Sequence, residues 1–167
     1  GMMKTLVPEV ERMVKGSRFA HLNVSVSLDG LEATHNASRK IRNGFSMAVE
    51  NLKQMVALEH KHERFNVSVG ISLMRGIALP KDGEKESEAV RLIKFLRDEV
   101  GVRTIGYDHI RSTATDVFLL PPEINSGFAP PPTTDEDPDN RHKRSGDVQL
   151  DIDEMEWVNA DLARFQD

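Results

Sequence analysis

Residues 21–40 read HLNVSVSLDGLEATHNASRK, and two patterns meet inside them. Leu22, Val24 and Val26 alternate with Asn23, Ser25 and Ser27. That period of two belongs to a β-strand, whose successive side chains point to opposite faces. Asp29-Gly30 then ends the strand, because this pair suits a turning backbone. Beyond it lie His35, Asn36, Ser38 and Arg39, a cluster of hydrogen-bonding side chains just where a strand has stopped. The strand has one apolar and one polar face. Parallel strands are normally covered on both faces and read as continuous apolar runs. In a barrel the polar face would line an interior cavity; in an open sheet it would be a wetter surface.

Working outward, residues 4–15 place Leu6, Val10, Met13 and Val14 on one helical face, and Gly16 suits the stop. Residues 45–59 return to a helical period through Phe45, Val49, Leu52, Met55 or Val56, and Leu58. RFNVSVGISLMRG (64–76) is a second strand, LPKDGEKE (79–86) a polar turn, and 86–99 a third helix with Val90, Ile93 and either Phe95 or Leu96 inward. Gly101 caps it, and VRTIGYDHIRS (102–112) reads as a third strand. Helix and strand in alternation predict right-handed βαβ crossovers and a parallel sheet over 1–116. From 117 to 150 the chain holds six of its eight prolines and charge of both signs, the composition of a linker. Residues 151–167 recover helical spacing through Met155, Val158, Leu162 and Phe165. A helix that short needs a surface to dock on, whether its own domain or a neighbouring chain.

The net charge of −5 argues for solubility and against a general nucleic-acid surface. No apolar run approaches the roughly 18 residues that span a bilayer. GMMKTLVPEV has no signal-peptide core, so a cytoplasmic location is expected, and Gly1 before Met2 looks like a tag scar. Cysteine is absent. That excludes disulfides, a thiolate nucleophile, Cys-ligated zinc and a Cys-ligated iron–sulfur cluster within this chain.

VSVSLDGLEATHNASRKIRNGFSMAVENLKQM (24–55) resembles the middle of radical S-adenosylmethionine (radical SAM) enzymes, through Ser27, Leu28, Asp29, Gly30, His35, Asn36, Arg39 and Phe45. The resemblance continues through FNVSVGISLMRG and EAVRLIKFLRDEVGVRTIGYDHIRS, over residues 5–113. It implies the C-terminal half of a partial βα barrel: a short parallel sheet flanked by helices, followed by the linker and helix. It also implies a site at the C-terminal strand ends, where βα barrels carry their chemistry. There Ser27 and Arg39 would hold the amino-acid part of S-adenosylmethionine, Asp29 would shape the loop, and Ser72 and Asp108 would face the same cavity. The family's [4Fe–4S] cluster needs a three-cysteine loop that this chain lacks, and no ordinary side chain replaces its electron chemistry. The expectation is a fragment or degenerate relative, catalytically silent by itself, with no assigned catalytic or metal residue. Two other classes stand beside it: a small-molecule (SAM-like) binding module, and an interaction subunit that engages a partner protein through helix 151–166.

Several sharper readings give way to plainer ones. His35 shapes its own loop, and His60 and His62 share no helical face. Asp108 and His109, adjacent on a strand, point to opposite faces and make no dyad. The basic RHKR (141–144) is offset by the acidic DEDPD before it, and the methionines serve as core filler. Half a barrel leaves strand edges unpaired, so a homo-oligomer is expected.

Overall fold

The computed structural model describes residues 6–16, 21–109 and 152–165; the proline-rich stretch at 117–150 lies outside them. Strands β1 (Leu22–Leu28), β2 (Phe65–Leu73) and β3 (Thr104–His109) form a parallel sheet in the order β1-β2-β3. Val24 pairs with Val67, and Val69 with Ile105, so the period-two patterns of all three strands are in phase. Phe65, Val67, Val69, Ile71 and Leu73 are buried and share one core with Leu52 and Met55 of a helix, α3 (Gly44–Glu59), and Leu92 and Ile93 of another, α5 (Glu88–Phe95). On the other face Asn23, Ser25 and Ser27 are exposed, and Asn66, Ser68, Gly70 and Ser72 are half-buried. Among the described residues the helices flank one side of the sheet, and the polar side is open.

Helix α1 (Leu6–Gly16) buries Val10 and packs against α3. The polar stretch after β1 is itself helical, α2 (Glu32–Arg39), where the sequence suggests only a lead-in to the next helix. EATHNASR has no apolar stripe to announce a helix, and its buried members are Thr34 and His35. Its ordering comes from tertiary hydrogen bonds. Asn36 Oδ1 accepts the Phe45 N–H at 2.9 Å, satisfying a donor in the first turn of α3. A short helix, α4 (Arg75–Ala78), follows β2 directly. α5 starts two residues later than the periodicity suggests, because Ser87 is its N-cap and accepts the Val90 N–H at 3.2 Å. It runs into a π-helical turn, Leu96–Val100, that Gly101 closes in the left-handed region at φ 85°.

The last helix, α6 (Ile152–Ala163), docks on its own chain. Val158 and Leu162 join the core, Glu154 pairs with Arg75 of α4 at 2.6 Å, and Phe165 lies 5.9 Å from the Lys94 ammonium of α5. Among the described residues no helix is long and apolar enough to cross a membrane.

Candidate functional site

Asp29 leaves β1 with none of its surface exposed. A buried carboxylate is tolerated only when it is paired and hydrogen-bonded. Arg39, at the end of α2, supplies a two-pronged clamp: Nε donates to Oδ2 at 2.6 Å and Nη2 to Oδ1 at 2.8 Å. Ser38 Oγ donates to Oδ2 at 2.7 Å. The Asp29 backbone N–H donates to His35 Nδ1 at 3.2 Å, and the His35 ring meets Phe45 edge-on. A second buried acid arrives from far along the chain: Glu88 Oε1 accepts the Leu31 N–H at 2.7 Å. Between them sits Gly30 at φ +151°. The sequence motif thus folds into a knot that joins β1, α2, α3 and α5.

Electrostatics follow from this arrangement. Burial raises the Asp29 pKa, but the hydrogen bonds from Arg39 and Ser38 and the Arg39 charge outweigh it, and the carboxyl lies below its ordinary 3.8. For His35, burial lowers the pKa, the Asp29 charge opposes this, and Arg39 adds to it; the ring lies below its ordinary 6.5. A neutral ring is what the Asp29 N–H bond requires, since Nδ1 must accept. Because the folded ring binds its proton less readily than the unfolded one, stability is level above pH 6.5 and falls as pH drops through that value towards the folded pKa. His35→Gln, whose amide oxygen can still accept, should flatten this limb. Urea denaturation at steps between about pH 5 and 7 reads it directly.

The other candidate residues lie on the open sheet face. Ser27 is in register with Gly70, and Gly70 with Gly106; Ser72 is in register with Asp108. Ser27, Ser72 and Asp108 therefore share the C-terminal part of one face, while Asp29 and Arg39 pair with each other at the strand end. The residues fit the family's groups poorly. A cluster has no cysteine to hold it, and the edge of Arg39 that would grip a carboxylate already grips Asp29, although 40% of its side chain is exposed. Ser38, one of the clustered hydrogen-bonding side chains, joins the knot, and Glu88 completes it unforeseen. Ser87-Glu88 ahead of an apolar run announces a helix start, but nothing in it reveals a reach of 57 positions back to Leu31.

A cleft of about 920 Å³ opens at the opposite end of the sheet, where the strands begin. Asn23, Asn66 and Thr104 line it from the strands, with Glu59, His60 and Glu63 after α3, and His21 and Arg103 at the strand starts. Asn66 Nδ2 donates to Asn23 Oδ1 at 2.8 Å, tying two strands together across it. Among the described residues no three His, Asp or Glu are placed to hold a metal ion.

No protein-family model matches the chain, and searches of curated proteins and of solved structures find no match.

Proposed function

We propose that this chain is a catalytically silent relative of the C-terminal half of a radical SAM barrel, serving as a half-barrel subunit whose open sheet face is covered by a second copy. The supporting observation is the pair of glycines at the centre of that face. Gly70 and Gly106 are neighbours in register, and neither has a positive φ. A Cβ on Gly106 would meet nothing within 4 Å, and one on Gly70 would only touch Ser25 Oγ at 4.0 Å. Glycine inside a strand costs about 0.5–1 kcal/mol relative to alanine. Neither the conformation nor the packing of the described residues repays that, so the reason lies in something that approaches the face. The surrounding Asn, Ser and Thr side chains both donate and accept, so they can meet their own counterparts in a second copy, with Asp108 the charged group towards the C-terminal end of the face. β1, LNVSVSL, is also an edge strand with no charge or proline to guard it.

Gly106→Val is the test. In an isolated chain it fills open space and favours the strand, so the fold should hold or gain stability. In an associating chain it should weaken self-association at least about tenfold by sedimentation equilibrium. Wild-type protein that stays monomeric at high concentration, or a variant that associates as well as wild type, overturns the reading.

The alternative, a SAM-like binding module, rests on the exposed Ser27 and the partly exposed Arg39. Calorimetry with S-adenosylmethionine separates the two, since the half-barrel reading expects no heat of binding.

A further inference from the structure

The cleft at the N-terminal end of the sheet shares Asn23, Asn66 and Thr104 with the open face, but its charged residues belong to neither that face nor the Asp29 knot. Charges of opposite sign line it without pairing. Arg103 comes within 3.4 Å of His60 Nε2 but makes no ion pair among the described residues. Glu63 is exposed and is likewise free of one. Glu59 accepts the Val67 N–H through Oε1 at 3.1 Å, while its Oε2 is buried with no hydrogen-bond partner among the described residues. Leaving such an oxygen unsatisfied costs about 1–3 kcal/mol, more when it is charged. Asn23, Asn66 and Thr104 line the same cleft from the strands, with Asn66 Nδ2 donating to Asn23 Oδ1 at 2.8 Å and Thr104 Oγ1 to Asn66 Oδ1 at 3.5 Å.

A metal ion does not answer this arrangement, because no three ligating side chains converge. A simple anion would meet Glu59 and Glu63, and a simple cation would meet Arg103. A ligand that carries both signs satisfies all three. The volume of about 920 Å³ is within the range of small-molecule sites. Arg103 suits a carboxylate, because its planar fork donates two parallel hydrogen bonds. Glu59 Oε2 lacks a donor among the described residues, and an ammonium supplies three.

We infer that this cleft binds a zwitterionic α-amino acid, with its ammonium against Glu59 and Glu63 and its carboxylate on Arg103. The neutral side chains of Asn23, Asn66 and Thr104 offer further donors and acceptors, and the open mouth leaves room for the side chain.

Three probes of matched chain length test this on the full chain: L-norleucine, pentylamine and hexanoate. Each is titrated while the Asn23 and Asn66 side-chain amides and the Thr104 backbone amide are followed by ¹⁵N NMR. L-Norleucine should give saturable shifts, with pentylamine and hexanoate each at least about tenfold weaker. Glu59→Gln keeps an oxygen for the Val67 N–H, and Arg103→Gln changes an exposed side chain, so both variants should keep the wild-type spectrum elsewhere. Each should weaken L-norleucine at least about tenfold. Overturning results are no saturable shift by about 50 mM, pentylamine or hexanoate binding as tightly as L-norleucine, or either variant binding as wild type does.

Discussion

Arg39→Ala is expected to cost about 3 kcal/mol of stability at neutral pH, far more than a surface ion pair would. Asp29 is fully buried, so losing the guanidinium strands a charge with only Ser38 to donate to its side chain. Breaking a fully buried pair from one side costs about 3–5 kcal/mol; the lower end applies because 40% of the Arg39 side chain is exposed. The double variant Asp29→Ala/Arg39→Ala removes the stranded charge as well, and should therefore be more stable than Arg39→Ala alone. pH sharpens the comparison. In wild type the Asp29 pKa is depressed, so its contribution is present above 3.8 and is lost as pH falls through the folded value. In Arg39→Ala burial is opposed chiefly by the Ser38 hydrogen bond and raises that pKa above its wild-type value, so the deficit is largest at neutral pH and narrows on acidification. Urea denaturation across that range measures all three proteins. A cost of about 1 kcal/mol or less would mean that Arg39 is an ordinary surface cation, free for a ligand.

Gly30→Ala should be at least as damaging, at about 3–4 kcal/mol from backbone strain and overpacking together. At φ +151° an L side chain is strained whatever the space around it. Here there is no space either. The new Cβ would lie 2.7 Å from Glu88 Oε1 and 2.7 Å from both Cβ and Cγ2 of Thr34. Thr34 is held in α2 and Glu88 by its bond to Leu31, so relief must come from the loop, and that loosens the Leu31 N–H contact. Native-state amide exchange should show Leu31 losing protection first, while β2 amides such as Val69 and Ile71 weaken only with global stability. Full stability in Gly30→Ala, with Leu31 still protected, would show that the loop is slack and that Glu88 does not clamp it.

The two kinds of information separate along this motif. The alternation in LNVSVSL makes a strand with a polar face legible from seven residues, because the pleat acts over a distance of two. FNVSVGISL repeats the pattern, and the structure pairs the two in register, Ser25 with Ser68 and Val26 with Val69. Gly16 and Gly101 likewise mark the ends of helices as expected, since a cap is a local event. α2 was not legible. Its eight residues carry no apolar period, and its order comes from Asp29 on one side and Phe45 on the other. The polar cluster after β1 could be seen from sequence; its being turned inward on itself could not.

The alternation of the longer helices with the strands, the two-faced strands and the absence of any cysteine ligand were settled by the residues alone, because each depends on near neighbours or on composition. The tertiary structure decided that Arg39 grips Asp29, that Glu88 returns to Leu31, that α6 rests on α4 and α5, and that Glu59 and Arg103 border one cleft at the end of the sheet opposite the motif. Those are meetings of groups tens of positions apart in the chain. Which of them occur depends on how the strands and helices pack, and side-chain spacing along the sequence carries no record of that.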